Sequence, residues 1–161
     1  DLITIPLLED PLVLACSESH PLAGRNALYI EDLQEQEFVI REPGSGTREL
    51  LDRFLASHGT HITVAFEAHT PDSIKNALRI NQCLTLISAR LVEQELKSGE
   101  FIAFSSQDSQ WNRYFRMVYH KYKDSAPYLP IFKEIISSYD QKVPLDRFIH
   151  GQFIDTHNKK L

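Results

Sequence analysis

The stretch FVIREPGSGTRELLDRFL, residues Phe38 to Leu55, joins a strand-like segment to a helical one through a glycine-rich turn. Its first three residues are apolar and favour a β-strand. From Leu50 onward the apolar residues recur at the spacing of one helix face. The small residues PGSGT lie between the two segments. The stretch therefore predicts a strand, a tight loop and a helix in succession, which is the building unit of an α/β fold.

The same alternation continues along the chain. We predict strands at residues 12–16, 38–41, 62–67, 84–88, 101–104 and 113–121, and helices at 30–36, 47–57, from 71, at 90–98, 128–141 and 144–154. Thr70 is the predicted N-cap of the helix that begins at Pro71, and glycines at 59 and 99 are the predicted helix ends. Strands that alternate with helices of about ten residues predict βαβ units and a mostly parallel sheet.

Composition limits the class of protein. The chain has 161 residues, of which 42% are hydrophobic, enough to bury the core of one domain or of two small lobes. Its net charge of -5 argues against nucleic acid as a direct partner, because phosphate binding needs clustered Lys and Arg. Two cysteines without a CxxC pair suit a reducing cytoplasm, and neither a membrane span nor a signal peptide is apparent. The chain begins without Met in an apolar segment, so we expect a fragment of a longer protein.

The loop at residues 44–47 and the loop at 68–70 both connect a strand to a helix. In open parallel sheets, ligands bind beyond the carboxyl ends of the strands, where such loops meet. The first turn of a helix offers unpaired N–H groups and a partial positive charge. Ser45 and Thr47 would add hydroxyl groups, and Gly44 and Gly46 would allow close approach. The pattern suits a small anion such as a carboxylate, and the alternative is a turn and a helix cap without a ligand.

Other motifs give no support to catalysis. No GK[ST] follows the loop, so it is not a Walker loop, and Gly44-Ser45-Gly46 is not the GxSxG of a nucleophile elbow. His58 and His61 are separated by a glycine, and we expect a solvated loop there and no metal site. Cys16, Cys83 and Trp111 are expected to pack in the core. No acid–base or nucleophile–base pair stands out, so we predict no catalytic residue, no cofactor and no enzyme.

Three segments together carry a resemblance to a known family. In order, these are PLVLACSESHPLAG, FVIREPGSGTRELLDRFL and FEAHTPDSIKNALRINQCLTLISARLVEQELKSGEF. The chain resembles the effector-binding domain of LysR-type transcriptional regulators over nearly all of residues 1–141. Two positions depart from the family's usual pattern: Asn81 and Cys83 stand between helix and strand where glycines are common.

The resemblance implies a periplasmic-binding-protein-like (type 2) α/β fold with two lobes. Residues 1–10 would end the first lobe at the hinge, and residues 11–99 would form a complete second lobe. Residues 100–141 would return to the first lobe, followed by a C-terminal tail at 142–161. The first lobe would then be partial. The helix-turn-helix, the linker helix and the start of the first lobe would lie upstream of Asp1.

The resemblance also implies a function, which is to sense a small metabolite for a cytoplasmic DNA-binding transcriptional regulator. The effector, expected to be anionic, would bind between the lobes, with contacts from Ser45, Gly46, Thr47, His69 and Thr70. Charge would come from Arg48 or Arg41. The chain would form a homodimer or tetramer, would contact DNA only through the helix-turn-helix, and would not bind membranes.

Two alternatives belong to other classes of protein. A solute-binding protein of a transporter has the same two-lobed fold. A small-molecule lyase or transferase on a related fold would need an acid–base pair in the cleft, and the sequence offers none. Fold alone does not distinguish these functions.

Overall fold

One long strand, β1 (Leu2–Ser17), organises the fold in the computed structural model, which describes residues 1–106, 111–123, 126–138 and 147–155. Its C-terminal part pairs antiparallel with β5 (Thr85–Ser88) and β6 (Phe101–Ser106). Its N-terminal part pairs antiparallel with β7 (Asn112–His120), and the register of that ladder shifts between residues 6 and 8. β1 therefore runs from a two-stranded ribbon into the middle of a larger sheet.

The other described elements complete the sheets and cover their faces. They are the strands β2 (Ala27–Tyr29), β3 (Glu37–Arg41), β4 (Thr63–Ala68) and β8 (Gly151–Ile154), the helices α1 (Gly46–His58), α2 (Pro71–Ile80), α3 (Glu93–Ser98) and α4 (Tyr128–Ser138), and 3-10 turns at Ile30–Leu33 and Lys121–Lys123. The larger sheet has the order β2-β8-β6-β1-β5, with β7 on the ribbon end of β1. β3 and β4 form a parallel pair, which a parallel bridge from Phe38 to Leu84 joins to β5.

The prediction of a mostly parallel sheet is correct for β3, β4 and β5, and for β2, β8 and β6. It is wrong for β1, which is antiparallel to all three of its partners. The physical reason lies in the connections. A helical crossover makes successive strands such as β3 and β4 parallel, but β1 precedes the first crossover and no such connection fixes its direction.

The central part of β1 is buried on both faces. Leu12, Leu14 and Cys16 belong to one core cluster, which also contains Trp111. Val13 and its alternating neighbours belong to a second cluster on the other face. Burial on both faces explains why the segment LVLAC is uniformly apolar. Burial also raises the pKa of Cys16 to about 12, so the thiol is an unreactive core group, as the sequence predicts.

Three predicted elements need correction. The predicted helix at 30–36 is only a 3-10 turn, because Glu35 adopts a left-handed φ of 60° and ends it. The predicted helix at 90–98 begins at Glu93. The predicted helix at 144–154 is wrong for residues 151–154, which form a strand. Residues 107–110, 139–146 and 156–161 lie outside the described part of the chain, and with them the ends of two predicted helices and most of the predicted tail.

The strand β8 is inserted between β2 and β6 and runs parallel to both. Gly151 fits there because an added Cβ would lie 2.7 Å from the Phe104 ring and 2.8 Å from a backbone oxygen. Phe153 is buried and stacks on Trp111 with ring centroids 5.1 Å apart. The segment at 147–155 is therefore tightly packed against the sheet.

The end of β8 also accounts for His58. The imidazole Nε2 lies 3.1 Å from the Asp155 carboxylate, and both side chains are only 7% exposed. The prediction that His58 lies in a solvated loop is therefore wrong, because the residue is the last of α1 and packs against the end of β8. Among the described residues, none of the helices combines the length and the apolar character that crossing a membrane requires.

Candidate functional site

A small cleft opens where α1 and α2 begin, beside β5. It is lined by Arg41, Thr47, Pro71, Ile74, Leu86, Ile87, Ser88, Leu91 and Arg113. Its interior volume of about 20 Å³ holds one or two water molecules. The cleft lies beside the two strand-to-helix loops, in the region where ligands bind in open parallel sheets. Two residues singled out from the sequence, Thr47 and Arg41, line the cleft directly.

The two helices differ in how they are capped. α2 is capped by Thr70, whose hydroxyl accepts a hydrogen bond from the backbone N–H of Ser73 at 3.2 Å, as the sequence predicts. α1 begins after Ser45, whose side chain makes no capping hydrogen bond. Within the described part of the chain, no side chain therefore accepts from the N–H groups of the first turn of α1, although helices normally recruit such an acceptor.

The two glycines of the loop have different roles. Gly44 has a φ of 86°, a left-handed conformation that other residues rarely adopt. Gly46 is the first residue of α1 and does not have a positive φ, and a Cβ added there would meet no atom within 4 Å. Gly44 therefore makes the turn, and Gly46 leaves open space beside the first turn of the helix.

The predicted cations are already paired with acids. The Arg41 guanidinium makes two 2.7 Å hydrogen bonds to Glu42, and this pairing lowers the pKa of the Glu42 carboxyl to about 2. The Arg48 Nε atom contacts both oxygens of Asp52 at 2.7 and 2.8 Å, and its Nη1 atom lies 3.7 Å from Glu67. His69 is exposed, on the loop before Thr70. Neither arginine is in a position to give its full charge to a ligand.

A buried polar network that sequence reasoning missed adjoins the cleft. The Asp10 carboxylate, in β1, is 1% exposed and accepts a hydrogen bond from the Ser88 hydroxyl of β5. Its other oxygen accepts from the Nε atom of Arg113, in β7, at 2.6 Å. The Nη1 atom of Arg113 donates to the Thr47 hydroxyl at 2.9 Å. Arg113 thus links the start of α1 to β1 at the point where β1 leaves the ribbon.

The sequence indicates one member of this network, Asp10, but not its cationic partner. Asp10 follows an apolar strand-like segment and precedes another, so its carboxylate is expected to be buried and to need a cationic partner. The chain has 17 lysines and arginines, and nothing local indicates which one pairs with it. The pairing of Asp10 with Arg113 depends on the β1–β7 register, in which the two residues face each other.

No group of three or more His, Cys, Asp or Glu side chains that could hold a metal ion occurs in the described part of the chain. The residues around the cleft are hydroxyl, guanidinium and backbone N–H donors, together with apolar side chains. This set can bind and orient an anion through hydrogen bonds, because each polar group can donate.

Comparison with known proteins identifies the family. The model of the LysR substrate binding domain matches residues 1–139, and the chain belongs to this family. It is 30% identical over 131 residues to the RuBisCO operon transcriptional regulator of Allochromatium vinosum, which covers 81% of the chain and 43% of that regulator. It is 37% identical over 91 residues to the regulator CysL of Bacillus subtilis, which covers 56% of the chain and 30% of CysL. The chain therefore spans less than half the length of the curated relatives it matches.

Solved structures agree with the family assignment. The regulatory domain of CcmR from Synechocystis, in complex with 2-PG, superposes with a TM-score of 0.75 at 25% identity. The superposition covers 84% of the chain and 65% of the CcmR domain. The fold is thus the periplasmic-binding-protein-like type 2 fold of LysR effector-binding domains, as the sequence predicts.

Proposed function

We propose that this chain is the effector-sensing part of a LysR-type regulator and that the anionic group of a small effector binds at the opening of the cleft, at the start of α1. The proposal rests mainly on the first turn of α1. This turn has no side-chain cap from Ser45, and it borders the cleft. An uncapped first turn is a ready anion site, because its N–H groups are unpaired and the helix dipole favours negative charge. The bound 2-PG of the related CcmR domain supports an anionic effector.

The proposed contacts are those suggested by the sequence. Ser45, Gly46 and Thr47 would bind the anion from one loop, and His69 and Thr70 would approach it from the other. Arg48 is the weakest member of the set, because its guanidinium is held by Asp52. The lobes keep their predicted bounds in this proposal, with the second lobe at residues 11–99. β1 and β7 would then be the strands that connect it to the first lobe.

The regulatory output belongs to the same proposal. DNA binding would be carried by a helix-turn-helix outside residues 1–161, and the effector would change the geometry between lobes or between subunits of a cytoplasmic oligomer. The relatives are transcriptional regulators, which supports a regulator over an enzyme and over the solute-binding protein of a transporter. The described residues present no acid–base pair in the cleft that would suggest catalysis.

Gly46→Val in the full-length protein tests the effector site. A side chain at residue 46 would extend into the open space beside the first turn, without backbone strain, so the variant should fold and lose effector binding. The measurement is operator binding by the full-length protein during titration with 2-phosphoglycolate (2-PG) and with a panel of small carboxylates and phosphates. Gly24→Val is the matched control, because Gly24 also has open space and lies in a turn away from the cleft. A folded Gly46→Val protein with an unchanged response would show that the loop is only a turn.

A further inference from the structure

All three arginines near the proposed anion site pair with an acid: Arg41 with Glu42, Arg48 with Asp52 and Arg113 with Asp10. Arg113 differs in that its partner is almost completely buried, which holds the guanidinium in place. Its Nε and Nη1 atoms are engaged, but its Nη2 atom donates to none of the described residues, and its side chain lines the cleft.

The position of Arg113 is fixed from two sides. Asp10, which is almost completely buried, accepts from Nε, and Asp10 is itself held by the Ser88 hydroxyl. Thr47, which is 7% exposed, accepts from Nη1 through its hydroxyl. A planar guanidinium held at two nitrogens presents the third in a defined direction, which an unsupported arginine does not do.

We infer that Arg113 is the principal charged contact of the effector and that it selects ligands with a phosphate or carboxylate group. The inference rests on the proposed function and adds to it a residue from β7, outside both predicted loops. An oxyanion in the cleft would accept from Nη2 of Arg113 and from the first-turn N–H groups of α1. Because the same guanidinium binds Asp10 on β1, an effector that contacts Arg113 is linked through this ion pair to β1 at the end of the β1–β7 ribbon.

The test separates the charge of Arg113 from its structural contacts. Arg113→Gln removes the charged donor and should weaken 2-phosphoglycolate or sulfate binding to the full-length protein by about 10-fold or more. Arg113→Lys should recover part of the affinity, because charge remains without the planar fork. Asp10→Asn keeps an acceptor for Nε but removes the carboxylate that fixes the guanidinium, so it should weaken anion binding less than Arg113→Gln does. Isothermal titration calorimetry measures the affinities, and circular dichroism confirms folding.

The control is Arg116→Gln, on the same strand, where the arginine is exposed and has no ion pair among the described residues; it should leave anion affinity unchanged. If Arg113 only supported the fold, Arg113→Gln and Asp10→Asn would weaken binding by the same factor, and the inference would be overturned. Unchanged affinity in Arg113→Gln would overturn it as well, while the proposed function would stand. If the wild-type protein bound no anion of the panel, the proposed function itself would fail.

Discussion

At the scale of single residues, the site depends on groups that lack the usual partner. The Ser45 hydroxyl makes no cap, although the Thr70 hydroxyl in the equivalent position of α2 does. The sequence places both residues correctly before a helix, because Ser and Thr are preferred there. It could not show which hydroxyl is used, since capping depends on the side-chain conformation and not on the residue type.

This difference predicts different consequences for two similar substitutions. Thr70→Ala should lower the free energy of unfolding by about 1 kcal/mol, because it removes the cap of α2. Ser45→Ala should change it by less than ~0.5 kcal/mol and should instead weaken effector binding by about 1 kcal/mol. Urea unfolding measures the first quantity and ligand titration of the full-length protein the second. Equal losses of stability would mean that Ser45 also caps its helix in solution.

A second prediction concerns Glu95, which is nearly buried between α2 and α3. Burial raises the pKa of its carboxyl, but the hydrogen bond from Lys75 and the charge of Arg79 outweigh it, so the pKa lies below its usual value. Because the folded-state pKa is lowered, the stabilisation is complete above about pH 5 and is lost as the pH falls through the folded-state pKa.

Glu95→Gln should therefore lower the free energy of unfolding by about 1–3 kcal/mol at pH 7. Between pH 5 and pH 3 the free energy of unfolding should then fall less in the variant than in the wild type, because residue 95 no longer titrates. Glu93→Gln is the control: Glu93 pairs with Lys97 on the surface of α3 and with no other described residue, and its loss should cost less than ~0.5 kcal/mol. Denaturant unfolding at several pH values provides the comparison. Parallel curves for Glu95→Gln and the wild type would contradict the assigned role.

At the scale of secondary structure, the sequence was most informative where periodicity and end signals agree. The unit β3–α1–β4–α2–β5 matches its predicted order, and α1 and α3 end at Gly59 and Gly99 in left-handed conformations. The sequence was misleading where pairing between distant strands determines the structure. The apolar spacing of residues 144–154 resembles a helix, but Gly151 lies within it, and residues 151–154 pair with two strands distant in sequence.

The contact around Gly151 predicts a cost for the smallest possible side chain. In Gly151→Ala the new methyl group would meet the Phe104 ring and the backbone oxygen of Asn26 at less than 3 Å. Because backbone has to shift, the free energy of unfolding should fall by about 1–3 kcal/mol. Gly24→Ala, with open space around it, should stay within ~0.5 kcal/mol of the wild type. An unchanged melting temperature for Gly151→Ala would indicate that β8 is not packed this way.

At the scale of the whole molecule, apolar surface is concentrated on the ribbon and α4. The exposed large hydrophobic residues on α4 and on the same side of the ribbon as Met117 include Phe115, Tyr128, Ile131, Phe132 and Ile135. Met117 and the side chains of α4 enclose an open depression of about 460 Å³ on this face. A contiguous apolar surface of this kind normally marks an interaction site or an aggregation hazard. The sequence predicts α4 as amphipathic, but the face it leaves open depends on the tertiary structure.

We therefore expect residues 1–161 to self-associate through this face. Ile135→Glu places a charge on this face and should shift the chain toward monomer, because charge burial opposes apolar association. Ile80→Glu is the control, since Ile80 is 80% exposed on α2, away from the ribbon. Light scattering over a range of protein concentrations measures the mass. A wild-type chain that remains monomeric at high concentration would contradict the expectation.

The insertion of β8 between β2 and β6 has a consequence for synthesis on the ribosome. Its two neighbours in the sheet begin at residues 27 and 101, so both leave the ribosome well before residues 151–154. Until those residues emerge, β2 and β6 have no strand between them, and their facing backbone N–H and C=O groups remain open to other chains. The sheet can close only in the last stage of translation of this region. A ribosome stalled before residue 151 would hold a nascent chain with a gap in its sheet, a natural point for a chaperone to bind.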